Sequence, residues 1–564
     1  MSRCLHSVLT LTLLNLTVCG CGSDRFPLES SSAISTESRA GLAPRPAHQS
    51  ITVAAAPTTP PSIQATAEAA STAIPAVRLV TADKPAVAQG ATSAVPLHPG
   101  IHQLFLDEAL IANRTNITST LHAPRKFSGN PVLMPAPNLE VDALLYGTVL
   151  FDEDAKCFKM WYFTGRAGTQ MAWTLAYATS QDGLHWEKPD LDVIAGIPSP
   201  SNIVMTHPLT ENFGEPFSVI IDHHDPDPAR RYKMVYRYLT PLPEMKALGT
   251  TTAVSADGIH WKPFGRVQMP DILDIGHFFY DPLQGKYAVY GRLWTHRRQV
   301  QLAYSDDFTS WTKPALVADI NEQDPPGTQL YSLAVHVDGG QYIGLAQLYM
   351  RGTTHLLEFE LAASRDGRTW TRVHQGETFL PCGGHGEWDR FNNSISSNPV
   401  RVGDELWFYY GGRTYRHSGY GGKDRGTEEA QSLRARVGGT AKKTDKPAGF
   451  TGMRSAIGLA KLRLDGYVSL SASYDGGTVT TVPVRPGASS LHLNAAARWG
   501  RITVEVLDQQ GQPLPGARSL PVESDGTDLT VRWPGPTGSP LAAKRPIQLR
   551  FTLHNARLYS YWVQ

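Results

Sequence analysis

Five short loops in this sequence each carry two carboxylic acids, and each loop runs directly into an apolar stretch. Glu140 and Asp142 precede "ALLYGTVLFD". Glu211 and Glu215 lie in "ENFGEPFSVI", Asp271 and Asp274 in "PDILDIGHFFYD", Glu322 and Asp324 in "NEQDPPGTQLYS", and Glu387 and Asp389 in "GHGEWDRFNNS". A single acidic loop is ordinarily solvated and inert. Acids at the same relative place in five segments are another matter, because a fold that gathers the segments gathers the acids. Crowded carboxylates raise one another's pKa, so one stays protonated while its neighbour ionises. Hydrolysis of a glycosidic bond needs that division between acid and base or nucleophile. The chain offers little else: no phosphate-cradling glycine loop, no ordered Ser/His/Asp set and no Cys/His spacing for zinc.

What gathers the segments is a repeat. "SQDGLHW" (180–186) returns as "SADGIHW" (255–261), "SRDGRTW" (364–370) and, more weakly, "SDDFTSW" (305–311). Asp-Gly after a strand signals a tight turn, and the Trp opens the returning strand. A fifth, degenerate copy is "IGLAKLRLDGYVSL", with Asp465-Gly466 at the turn; a Gly- and Lys-rich insert over 412–454 lengthens the interval before it. Each unit begins with an innermost strand, such as "YGTVLFD" or "HFFYD", followed by a second, such as "FKMWYF" or "KYAVYGR". Alternating runs cut by Gly, Pro, Asp and Asn, without a clear amphipathic helix, predict an all-β chain. Five four-stranded units predict a five-bladed β-propeller over 99–473, with the heptad as a structural outer hairpin. Residues 474–564 lack the heptad and read as a small β-sandwich.

This order of motifs, "LFLDEALI … NPVLMP … YGTVLFDED … FKMWY … YATSQDGLHWEKP", resembles the glycoside hydrolase propellers of the invertase/levansucrase and arabinanase/β-xylosidase families. It is most similar to exported bacterial proteins of family-32-like type with a terminal sandwich. The resemblance covers roughly 100–564; the invertase "NDPNG" and "RDP" signatures are absent. It implies a sugar site at the axial mouth, where the innermost strands begin. It matches Asp142 to the base or nucleophile and Asp274 to the aspartate that orients it, leaving Glu215 or Glu387 as the acid. A calcium ion in the axial channel is possible in such propellers, although no ligand spacing here specifies it; no cofactor is otherwise expected.

Around the acids, His277, Tyr331, Asn392 and His417 are candidates to hydrogen-bond sugar hydroxyls, Trp388 to stack on a ring, and Glu387 and Asp389 to line the site. Arg292, Arg297 and Arg298 form a basic cluster, read either as a solvated strand end or as a seat for a sugar carboxylate, sulfate or phosphate. The insert reads as a lid over the mouth or as a disordered loop.

Lys and Arg number 52 against 51 Asp and Glu, so no basic field invites nucleic acid. Residues 1–21 carry Arg3, a short apolar run and "VCGC", an export signal that resembles a lipoprotein box with Cys21 acylated; plain secretory cleavage is the alternative. Residues 22–98, rich in Ala, Ser, Thr and Pro, read as a disordered tether. Cys157 and Cys382 read as packing residues. Three functions remain open: an exported glycoside hydrolase, a non-catalytic carbohydrate-binding propeller, and, less favoured by export, a glycoside phosphorylase. The expected partner is a carbohydrate, with a membrane touched only through the lipid anchor and the protein a monomer.

Overall fold

The structure is a computed structural model. It describes residues 94–564 apart from 138, 141, 166–173, 207–213, 239–249, 265–268, 270–271, 273–275, 352–353, 397, 415, 418–454, 536–537 and 544. The leader with Cys21, almost all of the tether, Glu211, Asp271, Asp274 and most of the insert therefore lie outside the described residues, as does the side chain of Glu215.

The regular elements of the described residues are strands, with single 3-10 turns such as Pro228–Arg230 as the helical pieces. Apolar runs pair as antiparallel meanders. Leu144–Asp152, Cys157–Thr164, Thr174–Ser180 and Ile203–Met205 form the first sheet. Gly214–Ile221, Tyr232–Tyr238, Thr250–Ser255 and Lys262–Pro263 form the second. The third holds His277–Asp281, Lys286–Trp294, Arg298–Ser305 and Ala315–Ala318. In the fourth, Thr328–Asp338, Gln341–Met350, Leu357–Ser364 and Thr371–Arg372 follow the same order. The fifth has Asn392–Ile395, Glu405–Arg413 and Ser455–Arg463, and its outer edge is Arg125–Lys126, from ahead of the first sheet; a parallel pairing of Asn392 with Leu357 makes it continuous with the fourth. Over the described residues the fold is all-β and of propeller type, as the periodicity predicts.

Successive sheets are keyed by side chains that satisfy backbone groups which the meanders leave over. Val219 N donates to Thr148 Oγ1 at 2.8 Å, Phe278 N to Ser218 Oγ at 2.9 Å, and Val149 N to Ser396 Oγ at 2.9 Å, which returns from the fifth segment to the first. An aspartate at the end of each early first strand accepts the hydroxyl of a tyrosine in the next sheet. Tyr287 reaches Asp222 at 2.5 Å and Tyr342 reaches Asp281 at 2.8 Å, and Tyr232 bonds Asp152 in the same way.

The heptad is such a joint as well as a turn. Asp182 Oδ1 accepts Leu184 N and His185 N at 2.8 Å, and Ser180 Oγ accepts Gly183 N at 2.9 Å. The turn glycines Gly183, Gly258 and Gly367 sit at φ 72°, 80° and 69°. Their carbonyls accept from a neighbouring sheet: Tyr409 OH to Gly183 O at 2.8 Å, Trp161 Nε1 to Gly258 O at 2.7 Å and Tyr290 OH to Gly367 O at 2.7 Å. Trp186, Trp261 and Trp370 fold their indoles back on those same carbonyls and are half-buried at the sheet edges. In the weak copy Phe308 takes the glycine's place at φ 64°, and among the described residues Trp311 Nε1 finds no acceptor. An alanine at 183 would bring its methyl to 2.5 Å from Tyr409 OH, whereas at Gly196, φ 82°, nothing lies within 4 Å. Gly183→Ala is expected to cost about 2 kcal/mol or more and Gly196→Ala roughly half that, from φ strain alone. Denaturant unfolding of both checks this; equal losses would contradict the joint.

Two further sheets share one apolar cluster that includes Leu493, Val504, Phe551 and Leu558. The first runs Asp525–Thr530, Leu491–Ala496, Ala556–Val563, Val468–Ala472 and Thr118–Leu121, with Gln103–Leu104 on Ala556–Val563. The second runs Ile111–Thr115, Gly477–Thr481, Gln548–His554, Arg501–Leu507 and Pro513–Arg518. The fifth heptad copy thus differs from its sequence reading. Its returning strand, Val468–Ala472, joins these sheets instead of closing the fifth meander, whose edge Arg125–Lys126 already fills. Asp465, buried at φ 57°, holds the crossing: its Oδ2 accepts Ser560 Oγ at 2.5 Å and lies 2.6 Å from His102 Nδ1. Cys157 is buried and Cys382 half-buried; both are free, and burial pushes both thiols up.

Candidate active site

First and second strands run antiparallel, so the start of each first strand lies beside the end of a second. Side chains from four of the five meanders meet at that end. Tyr331, near the start of the fourth sheet's first strand, lies at their centre. The Arg292 guanidinium stands 4.0 Å from its ring centroid and Arg298 at 5.1 Å; Arg292 Nε also donates to Tyr331 O at 3.1 Å. Tyr331 OH is 2.8 Å from His417 Nε2. Tyr349, near the end of the second strand, packs 4.7 Å from the His417 ring and 6.2 Å from Tyr331, and its hydroxyl meets His355 Nδ1 at 2.9 Å. Arg298 also lies over Trp294 at 4.6 Å and donates to Gln329 Oε1 at 2.5 Å. From the fifth sheet, Arg413 stands 5.7 Å over Tyr146 of the first. Guanidinium groups stacked on aromatic faces keep their charge and their in-plane donors, so the cluster offers flat apolar faces beside fixed donors.

Burial, followed by the positive charges of Arg413, Arg298 and Arg292, pushes His417 down to about 3. It is neutral at physiological pH, with one ring nitrogen able to accept. His277 is fully buried at the start of the third sheet and burial pushes it, too, down to about 3. Asn392 is buried at the start of the fifth sheet's first strand, with its backbone paired to Arg413.

Asp142 lies two residues before the first sheet. Its Oδ1 accepts Ser455 Oγ at 3.1 Å, and the same hydroxyl accepts Ala143 N at 3.1 Å. Ser455 is paired across the fifth sheet with Arg413. This places Asp142, half-buried, at the same end of the molecule as the Arg413–Tyr146 contact, with one hydroxyl fixing it. Glu215 begins the second sheet's first strand, opposite Arg237 in register.

Other acids are occupied elsewhere. Glu140 is locked by Tyr162 OH at 2.6 Å, by Ala136 N at 2.6 Å and by Lys188. Asp324 pairs with Arg372 at 2.5 Å, and Glu322 is exposed. Two expected contacts, Trp388 and Asp389, are corrected. Trp388 is 6 % exposed, stacked on Tyr410 at 5.6 Å within the apolar core, and has no face to offer a sugar. Asp389 is buried in an ion pair with Lys126 at 2.7 Å and accepts Tyr410 OH at 2.8 Å. Glu387 is exposed, and its Oε2 is tied to Gly384 N at 2.6 Å in its own loop. The arginine cluster also divides: Arg297 turns away to Asp319, at 2.7 to 3.2 Å, while Arg292 and Arg298 join the tyrosines.

Sequence reasoning missed Tyr146, Tyr349 and Arg413. The available signal was their place, since Tyr349 and Arg413 lie at or next to the ends of second strands. Among the described residues no group of three or more His, Cys, Asp or Glu side chains is arranged to hold a metal ion.

No family model matches this sequence, and no curated protein does. Solved structures with similar chain traces include an N-acetylgalactosamine deacetylase from F. plautii in complex with blood group B trisaccharide. It is 14% identical, covers 60% of this chain and 97% of its own, and has a TM-score of 0.40. Another is a structure from the GH130 family of mannoside phosphorylases, described as containing glycoside hydrolases that target β-1,2 mannosidic linkages in Candida mannan. It is 15% identical, covers 61% and 94% of the two chains and has a TM-score of 0.38. An endo-arabinase from Bacteroides thetaiotaomicron is 14% identical over 49% and 92%, with a TM-score of 0.34. Likeness at this level bears on no particular activity.

Proposed function

We propose that this chain is an exported glycoside hydrolase on a five-bladed β-propeller with a C-terminal β-sandwich. It cleaves a poly- or oligosaccharide at the end where the first strands begin. Asp142 acts as base or nucleophile, Asp274 orients it, and Glu215 protonates the leaving oxygen. Glu215 is preferred to Glu387 because it begins a first strand, while Glu387 is spent within its own loop. The observation that carries this reading is the convergence of Asp142's end of the fold with Tyr146, Tyr331, Tyr349, Arg292, Arg298 and His417. Aromatic faces and fixed donors hold a sugar by its C–H face and its hydroxyls, and a carboxylate beside them has a bond to act on. The test is turnover of a glycan panel in phosphate-free buffer. New reducing ends are expected. Products that form only with added phosphate would make the protein a phosphorylase, and binding without turnover would make it a capture protein.

The export reading is proposed with it: Cys21 carries a lipid, and residues 22–93 tether the folded part to the envelope; the tether ends short of the 98 read from sequence, because Val95–Leu97 pairs with Val484–Pro486 and buries Leu97. Cells fed a radioactive fatty acid should label the wild type and not Cys21→Ser. Label that survives the substitution would remove the anchor.

A further inference from the structure

Eight large hydrophobic side chains are exposed among the described residues, and two stand apart: Tyr474 at 80% and Trp499 at 79%, against 54% for the next. Both belong to one place. Trp499 sits in the loop between strands Leu491–Ala496 and Arg501–Leu507, and its carbonyl accepts Asn555 Nδ2 at 2.7 Å. Tyr474 sits in the loop between Val468–Ala472 and Gly477–Thr481; there Ser473 O accepts Asn555 N at 2.9 Å and Gly476 N at 3.1 Å. The two loops therefore bracket the 554–555 turn and are fixed to it by backbone. A side chain at Gly500 would strike His554 O at 2.0 Å, which shows how closely the Trp499 loop is pressed down. The loops are held without their rings, and the rings are held in water.

Beside Trp499 runs a groove of about 510 Å³, walled by Thr118, Ser473, Arg498, Asp525, Asn555 and Arg557. Arg498 and Asp525 are set against each other, with Arg498 N donating to Asp525 Oδ1 at 2.9 Å. The volume lies within the ~300–1,000 Å³ of small-ligand clefts. Ala472, Ala496 and Ala556 also line the groove, but its guanidinium, carboxylate and amide groups argue against insertion into lipid, which wants apolar neighbours around exposed rings. A rigid indole face beside hydroxyl, amide, carboxylate and guanidinium groups matches a sugar ring, apolar on its C–H face and polar at its edge.

We propose that this groove is a second glycan-binding site, on the C-terminal sheets and separate from the mouth, in which Trp499 is the stacking platform and Tyr474 flanks it. The site keeps the chain on a polysaccharide and does no chemistry. Its argument does not rest on the reading of the mouth.

The test is native electrophoresis of the full chain in gels containing soluble arabinan, xylan, mannan, laminarin, alginate or chondroitin sulfate. At least one is expected to retard the wild type. Trp499→Ala should weaken that retardation roughly tenfold or more and Tyr474→Ala by less, both without a change in melting temperature, because neither ring is packed. Tyr331→Ala, at the mouth, tests whether the two sites are separate: whatever retardation it leaves should still be lost on adding Trp499→Ala. Retardation by none of the six, equal retardation of Trp499→Ala, or loss only in Tyr331→Ala would each overturn the proposal. Trp499-dependent sedimentation with anionic phospholipid vesicles, without retardation by any glycan, would replace the glycan with a membrane surface and overturn it as well.

Discussion

Asp142→Asn is expected to lower turnover of the cleaved glycan by on the order of a thousandfold or more while the protein stays folded. The side chain stands at the first sheet's entry, where Ser455 Oγ donates to Oδ1 at 3.1 Å. An asparagine keeps the size and the Ser455 contact but cannot take a proton or carry a developing charge, and those are the roles worth such a factor. The melting temperature should hardly move, because the fold's hydrogen bonding at this point runs through Ser455 to Ala143 N. Steady-state rates beside a thermal melt separate the two effects. A variant as active as the wild type would exclude Asp142 from the chemistry.

Lys233→Met is expected to destabilise the protein by ~3–5 kcal/mol at neutral pH. Lys233 is 1% exposed, and its ammonium lies 2.8 Å from Asp222 Oδ2 and 2.7 Å from Asp225 Oδ2. Asp222 in turn accepts Tyr287 OH, so the lysine sits in the joint between the second and third sheets. Burial pushes the Asp222 carboxyl up, and hydrogen bonds from Lys233 and Tyr287 more than offset that, leaving it below the ordinary carboxylate range. Methionine fills the volume but leaves the buried Asp222 without its lysine, while Asp225 keeps Arg230 at 2.9 Å. The sign with pH follows. A carboxyl depressed in the folded state stabilises above its unfolded pKa of ~4, and that stability is lost as pH falls through the folded value. The wild type therefore loses this contribution in acid, while the variant's stranded Asp222 is relieved by protonation. The gap between the two should narrow as pH drops below about 4. Denaturant midpoints at about pH 7 and about pH 3 measure it, and a constant gap would contradict the ion-pair account.

Much of the fold was legible because its signals are local. The Ser-x-Asp-Gly-x-x-Trp heptad specifies its own hydrogen bonds within seven residues, so Asp182, Asp257 and Asp366 form the turn their sequence predicts. The alternating runs likewise sit where their period places them. Joints between sheets were not legible, because nothing in "YKMVYR" states that Tyr232 will find Asp152, eighty residues earlier. The fifth heptad copy misled for the same reason: whether Val468–Ala472 closes a meander or leaves it depends on Arg125–Lys126 having taken the edge. At the mouth, strand starts drew attention to Asp142 and Tyr331, and the flank of the insert to His417; the structure sets Tyr331 against His417 and Asp142 against Ser455. Spacing could not tell an acid facing the mouth from one paired elsewhere, as with Glu140 on Lys188 and Asp389 on Lys126. Trp388 misled because a tryptophan in a loop looks the same in sequence whether it turns outward or, as here, onto Tyr410.

The most direct measurement is a crystal structure of Asp142→Asn with the uncleaved glycan bound. The account predicts the scissile oxygen at the end where the first strands begin, within reach of position 142, with a sugar ring against Tyr331 or Tyr349 and hydroxyls on Arg292, Arg298 or His417. In the wild type the two working carboxyls should then lie either about 5 Å apart, for retention of configuration, or about 6.5–9.5 Å apart, for inversion. A glycan bound only in the Trp499 groove, or at the mouth with no carboxyl near its glycosidic oxygen, would contradict the account.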